Sequence, residues 1–309
     1  MTGCIVSYNI FASKDELAEY FGNLFKTRCG ELLINKENIF IAISGGSTPN
    51  IYLKKLTEPK YLQAIEWSRI HFFFVDERMV NPTEPESNYL SIKEILFKKI
   101  LIPEENIHRI KGEIVPQLEV QRYANEIVNN VGKKRDNLPE FDWILLGMGS
   151  DGHTASIFPN TELKFESHNI TAVSRKPGSD QIRITITENI INNADFVTFV
   201  ITGREKADTV FEVLKGNKEI YPAGRINPKD GKLEYLIDQD AASILIEDKQ
   251  QLFRIIGKIK CVAYLNSVLS SLINSSKEEI SFIFSIGRAK VSVSICPIIK
   301  LLFTRGDVQ

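Results

Sequence analysis

Cysteine is scarce and scattered in this 309-residue chain, at Cys4, Cys29, Cys261 and Cys296, with no CxxC pair. That argues against a disulfide framework or a structural zinc site and fits a reducing compartment. An excess of one charge is also lacking: 38 Lys and Arg stand against 39 Asp and Glu, a net charge of -1. No electrostatic case exists for nucleic acid or an anionic membrane as partner. No window of about twenty residues is free of charge, which argues against a transmembrane helix. The first residues lack an apolar signal core, since Lys14, Asp15 and Glu16 arrive early. No GK[ST] ending follows the glycine pair Gly45-Gly46, which is not a GxGxxG run either, and no GxSxG elbow or internal repeat occurs. The chain is expected to be cytoplasmic and monomeric.

What is present is a core-forming composition, 43% hydrophobic and 25% charged. Mainly apolar runs at residues 39–43, 70–75, 141–146 and 196–202, and the apolar-alternating run 182–186, read as strands. Helical spacing marks residues 14–34, the stretch after Pro49, residues 88–99, 117–131, 204–215 and, last, 238–245. Apolar strands alternating with helices imply an α/β domain over residues 1–248. Its expected form is doubly wound, a mostly parallel sheet with helices on both faces in three Rossmann-like layers. Residues 249–309 carry no usable motif and read as a C-terminal extension, either an accessory appendage or translated non-coding sequence.

Three turns follow strands, and in a parallel sheet they share one edge. Ser44-Gly-Gly-Ser-Thr-Pro49 resembles an anion cradle, with Gly45 and Gly46 exposing N–H groups and Ser47 and Thr48 adding hydroxyls ahead of a helix. The same residues suit a plain helix cap by Ser47 or Thr48. Asp76-Glu-Arg78 puts an acid and a guanidinium at a strand end; an exposed ion pair is the plainer reading. Gly147-Met-Gly-Ser-Asp-Gly-His153 delivers an imidazole that suits a general base, with a helix expected after it. Arg183 and Lys206 add cations that alone would pass for solvated surface groups. His71, His108 and His168 lack carboxylate or cysteine partners at metal-ligand spacing and read as ordinary core or surface residues.

Together these motifs resemble the 6-phosphogluconolactonase family, whose superfamily also holds glucosamine-6-phosphate deaminases. The resemblance rests on Ser44–Pro49, on Asp76-Glu-Arg78 with Ser87-Asn88, and on Leu146-Gly-Met-Gly-Ser-Asp-Gly-His-Thr-Ala-Ser-Ile-Phe-Pro159. Arg183-Ile-Thr185, Thr202-Gly-Arg-Glu-Lys206 and Pro222-Ala223 follow in the family's order, so it covers about residues 10–248. It implies hydrolysis of 6-phospho-D-glucono-1,5-lactone in the oxidative pentose phosphate pathway, without metal or organic cofactor. By resemblance His153 is the general base and Asp76 its orienting or polar partner. Gly45, Gly46, Ser47, Thr48, Arg78, Asn88, Arg183 and Lys206 bind the sugar phosphate, with the division of labour among the cations left open. The deaminase turn carries a carboxylate where this chain has Ile157-Phe158, which favours the lactonase. A non-catalytic sugar-phosphate sensor on the same fold and a serine hydrolase using Ser44 or Ser47 compete with it. One departure is Gly224, where a bulkier residue is expected.

Overall fold

The computed structural model describes residues 5–132, 137–160, 169–216, 218–248, 280–286 and 289–295. The chain separates into two compact units, residues 1–245 and 246–309. The first unit runs through β1 (Ile5–Phe11), α1 (Lys14–Leu33), β2 (Ile39–Ile43), α2 (Ser47–Lys55), α3 (Pro59–Leu62), β3 (Ile70–Phe74) and β4 (Asp76–Arg78). Then come α4 (Asn88–Ile92), β5 (Ile107–His108), α5 (Pro116–Val131), β6 (Trp143–Leu146), β7 (Thr171–Arg175) and β8 (Ile182–Ile186). It closes with α6 (Glu188–Ile191), β9 (Phe196–Ile201), α7 (Ala207–Lys215), α8 (Pro222–Arg225) and β10 (Lys232–Asp238). In the second unit β11 (Ile280–Ile286) and β12 (Ala289–Ile295) form an antiparallel pair. The rest of the expected extension lies outside the described residues, as do His168, Cys4, Cys261 and Cys296.

Seven strands build one sheet in the order β1-β10-β9-β6-β2-β3-β5. Every neighbouring pair is parallel. The expected α/β architecture is therefore present, with helices around the sheet. Its central strands are apolar at every position because both faces are covered: Trp143, Ile144, Leu145 and Leu146 are all fully buried. Helix α1 buries Leu17, Phe21, Phe25 and Cys29, each four residues after the last. The Phe25 ring lies 5.4 Å from Trp143. Burying each such ring stabilises the fold by roughly 1.5–3 kcal/mol.

The strand order reverses between β2 and β6. β3 and β5 extend the sheet on one side, β9 and β10 on the other. Loops leaving β2 and β6 therefore part company, which opens a crevice beyond their carboxyl ends.

Several sequence expectations need correction. Strand β8 does not join the parallel sheet; it pairs antiparallel with β4 and β7 in a second, three-stranded sheet. The alternation in Ile182-Arg-Ile-Thr-Ile186 explains this: Ile184 and Ile186 face the core while Arg183 and Thr185 occupy the other face. Strands β1 and β10 were not expected from the sequence, yet β10 is an interior strand between β1 and β9. The final helix does not begin at Asp238, which ends β10; it begins at Ser243. The Asp238 carboxylate instead accepts from the Gly203 and Ala241 N–H groups. The helix expected over residues 88–99 is α4 followed by a π-helical turn, Lys93–Phe97. Gly224 suits its place, because a Cβ there would lie 2.1 Å from the Lys218 carbonyl oxygen. His71 and His108 are not isolated either: His71 Nδ1 is 3.0 Å from His108 Nε2, and His108 Nδ1 is 2.8 Å from Glu126 Oε1. Among the described residues no helix is long and apolar enough to cross a membrane.

β5 pairs with Phe72 and Phe73 only, so the edge of β3 is left open at Phe74. Tyr123 closes it: its hydroxyl accepts from the Phe74 N–H and donates to the Phe74 carbonyl, both at 2.8 Å. Tyr123→Phe strands two buried backbone groups. It is expected to lower unfolding stability by about 2–4 kcal/mol, read as a shifted urea midpoint with unchanged slope.

Candidate active site

Beyond the carboxyl ends of β2 and β6 lies a pocket of about 220 Å³. Gly45, Gly46, Ser47, Thr48, Asp76, Arg78, Asn88, His153, Arg183 and Lys206 all line it, joined by Met148 and Gly149. The three turns singled out in the sequence thus converge in space.

The first turn is anchored to the neighbouring strand. Ser44 donates to the Leu145 carbonyl through both its N–H and its hydroxyl, each at 3.0 Å. Neither Ser47 nor Thr48 caps α2, contrary to the plain-cap reading. Gly46 holds the N-cap place with φ of 111°, and no side chain bonds the helix start. The positive end of α2 is therefore available to an anion in the pocket. Thr48 is used elsewhere, its Oγ1 lying 3.0 Å from Thr202 Oγ1 on the loop after β9. A side chain at position 45 has no room: a Cβ on Gly45 would fall 2.0 Å from Asn88 Oδ1.

The second turn carries the imidazole. Residues 147–157 fold back on themselves instead of entering the expected helix. Gly149 N–H donates to the His153 carbonyl at 2.9 Å, and Thr154 and Ile157 form an isolated bridge. Ala155, in the left-handed region at φ of 49°, breaks any helical path. The ring of His153 lies against Gly149, where a Cβ would come within 2.2 Å of Nδ1. Phe158 supports the ring at 4.9 Å between centroids. Its polar partner is Asp151, whose Oδ1 is 2.5 Å from Nδ1 and also accepts from the His153 N–H at 3.1 Å. Burial pushes the Asp151 carboxyl up, but the imidazole and that N–H outweigh it, and the group ends below its usual value.

Asp76, expected as the partner of His153, is engaged otherwise. Its Oδ2 accepts from Ser156 at 2.6 Å and lies 3.7 Å from Arg183; its Oδ1 is 3.3 Å from Asn88 Nδ2. Asp76 and Glu77 are buried, so the surface ion pair considered for this triplet does not describe it. Arg78 and Arg183 stand directly opposite each other on β4 and β8. Like charges so placed repel. Arg183 is only 7% exposed, and burial lowers its pKa, against the pull of Asp76. Burial likewise lowers the pKa of Lys206, which makes no ion pair among the described residues. The lining thus sets three cations against one carboxylate, imidazole apart. Such a charge set favours a multiply charged anion, which would relieve both the repulsion and the desolvation.

Sequence reasoning missed Asp151, Ser156, Glu77 and Asp238. Asp151 was inside the quoted motif, and its i, i+2 spacing to His153 was the available signal. Ser156, buried and bonded to Asp76, had none, because that contact spans 80 residues.

Known proteins resemble this chain in sequence and in fold. The family model described as glucosamine-6-phosphate isomerases/6-phosphogluconolactonase matches residues 12–235. A 6-phosphogluconolactonase of Haemophilus influenzae is 42% identical over 213 residues, covering 67% of this chain and 88% of the relative. One from Aggregatibacter actinomycetemcomitans is 42% identical over 207 residues, covering 66% and 87%. The crystal structure of 6-phosphogluconolactonase from Thermotoga maritima superposes with a TM-score of 0.64 at 29% identity, covering 75% of this chain and 99% of that one.

Inorganic phosphate should raise the melting temperature of the wild-type protein, by up to about 2.7 kcal/mol of stabilisation at a hundredfold excess over its Kd. Lys206→Met removes a partly buried cation that forms no ion pair among the described residues. Its own stability is expected to hold or rise, while the phosphate-induced shift in a thermal melt falls by about half or more.

Proposed function

The chain belongs to the family of glucosamine-6-phosphate isomerases and 6-phosphogluconolactonases, and from that membership we propose that it hydrolyses 6-phospho-D-glucono-1,5-lactone to 6-phospho-D-gluconate. The observation that carries the reading is the imidazole–carboxylate pair His153–Asp151 opening into the same pocket as Arg78, Arg183 and Lys206.

The contacts around His153 support the following roles. Asp151 is taken to accept from Nδ1–H of His153, the contact that a carboxylate there favours, so Nε2 is assigned as the base. Nε2 takes a proton from water as the water oxygen bonds to the lactone carbonyl carbon. The imidazolium then returns that proton to the ring oxygen as the carbon–oxygen bond breaks, so the base is regenerated. The three cations and the open end of α2 hold the phosphate and steady the carbonyl oxygen as it gains charge. A six-membered lactone is an activated ester, so positioning and one proton-transfer group suffice, and the scheme calls on no metal or organic cofactor. Asp76 serves the binding half by holding Arg183, Ser156 and Asn88 together. A deaminase reading needs a carboxylate after His153, where buried Ile157 and Phe158 stand.

His153→Ala is expected to fold normally and lose about 10²–10⁴-fold in kcat on the lactone, measured against spontaneous hydrolysis. Near-wild-type turnover by this variant defeats the general-base role. Asp151→Asn keeps the shape but drops the charge that steadies the ring; a kcat loss of about tenfold or more is expected, with KM little changed. Purified wild-type protein given glucosamine-6-phosphate should release no ammonia above background.

A further inference from the structure

We propose that Glu77 is a positioning residue for the anion-holding half of the pocket: its carboxylate locks β4 to the start of α4 and thereby sets Asn88, Asp76 and Arg78. Strand β4 is three residues long, and its alternation sends Asp76 and Arg78 to the pocket while Glu77 points to the opposite side. Glu77 is 2% exposed. Its Oε1 accepts from the Arg78 and Asn88 N–H groups, both at 2.8 Å. Its Oε2 accepts from the Tyr89 N–H at 2.8 Å and the Ser87 hydroxyl at 3.0 Å. Four donors thus converge on one buried carboxylate, which forms no ion pair among the described residues.

A plain helix cap does not call for this arrangement. Ser87 already caps α4, its hydroxyl accepting from the Leu90 N–H at 3.1 Å. A buried charge costs stability unless its hydrogen bonds are complete, and burial pushes the Glu77 carboxyl up against the pull of the three backbone donors. What the charge adds is a tie between β4 and the start of α4 across the intervening loop. Asn88 depends on that tie. Its Nδ2 donates to the Asp76 carbonyl at 2.9 Å, and its side chain fills the space that a Cβ on Gly45 would need. It is wedged between β4 and the Ser44 turn. Arg78 depends on it too, since its guanidinium donates to the carbonyl of Glu86, next to Ser87. His153 and Asp151 arrive on a separate loop, tied to β4 through the Ser156–Asp76 bond and not through Glu77 directly. The expected signature is therefore binding weakened by a larger factor than the chemical step.

The test compares wild type, Glu77→Gln and a core variant, Phe25→Leu, chosen as a control for lost stability remote from the pocket. KM and kcat are measured on the lactone, and Kd for inorganic phosphate by calorimetry; the kinetic arm rests on the lactonase reading and the phosphate arm does not. Glu77→Gln should raise both KM and the phosphate Kd by about tenfold or more, with kcat within about threefold of wild type. Phe25→Leu should lower the melting temperature and leave both constants in place. Changes within about twofold in Glu77→Gln, or equal changes in the control, overturn the assignment, as does wild-type protein that binds no phosphate. Absent lactone turnover by wild type with the phosphate pattern intact sinks the lactonase reading and leaves this inference standing. If Glu77→Gln yields no folded protein, Ser87→Ala removes one of the four donors and should weaken phosphate binding by about threefold; unchanged affinity there overturns the proposal.

Discussion

Two strands of unlike sequence, β2 and β6, must lie side by side at the point where the strand order reverses, and the pocket exists only because they do. The pairing of Ile43 with Leu145, extended by the double bond from Ser44 to the Leu145 carbonyl, holds their ends level. Neither loop is free to cover the other, since each leads away to an opposite side of the sheet. The helix start beyond Ser44 and the imidazole turn beyond Leu146 are consequences of that one adjacency. The residues of β6 are fully buried, and the rings of Phe21 and Phe25 pack 6.1 Å and 5.4 Å from that of Trp143.

The second constraint is electrostatic. Arg78, Arg183 and Lys206 are crowded into a partly dry crevice that their own repulsion would open. The small antiparallel sheet resists it. β4 and β8 hold the two guanidiniums opposite each other, and Asp76 offsets part of their charge. Behind this layer the carboxylates of Glu77 and Asp238 bind backbone N–H groups and fix the chain segments that carry Arg78 and Asn88 on one side and Lys206 on the other. The charges that meet the ligand are thus held by charges that do not, which is how a site stays preorganised for an anion in its absence.

Much of this was legible in residue order. Strands such as Ile39–Ile43 and Trp143–Leu146 announce themselves because a strand covered on both faces must be apolar throughout. The three turns were recognisable by their glycines, hydroxyls and charges, while their meeting depends on β6, β2 and β3 being neighbours in the sheet. Less visible were β1 and β10. Lys232, Glu234 and Tyr235 break the apolar run, and β10 is interior only by virtue of its neighbours. The helix expected after His153 failed for a local reason, the left-handed Ala155, and a long-range one, the bond of Ser156 to Asp76.

Residue order alone determined the family, the parallel core and the identity of the side chains that ring the pocket, because each rests on short-range pattern: periodicity, turn chemistry and motif spacing. Tertiary structure alone decided which group steadies the imidazole, which serine meets Asp76, and which arginine faces which. Those outcomes depend on distances of a few ångströms between segments up to about a hundred residues apart. Hydrogen bonds and charge pairs fall off over such distances too steeply for sequence spacing to predict them.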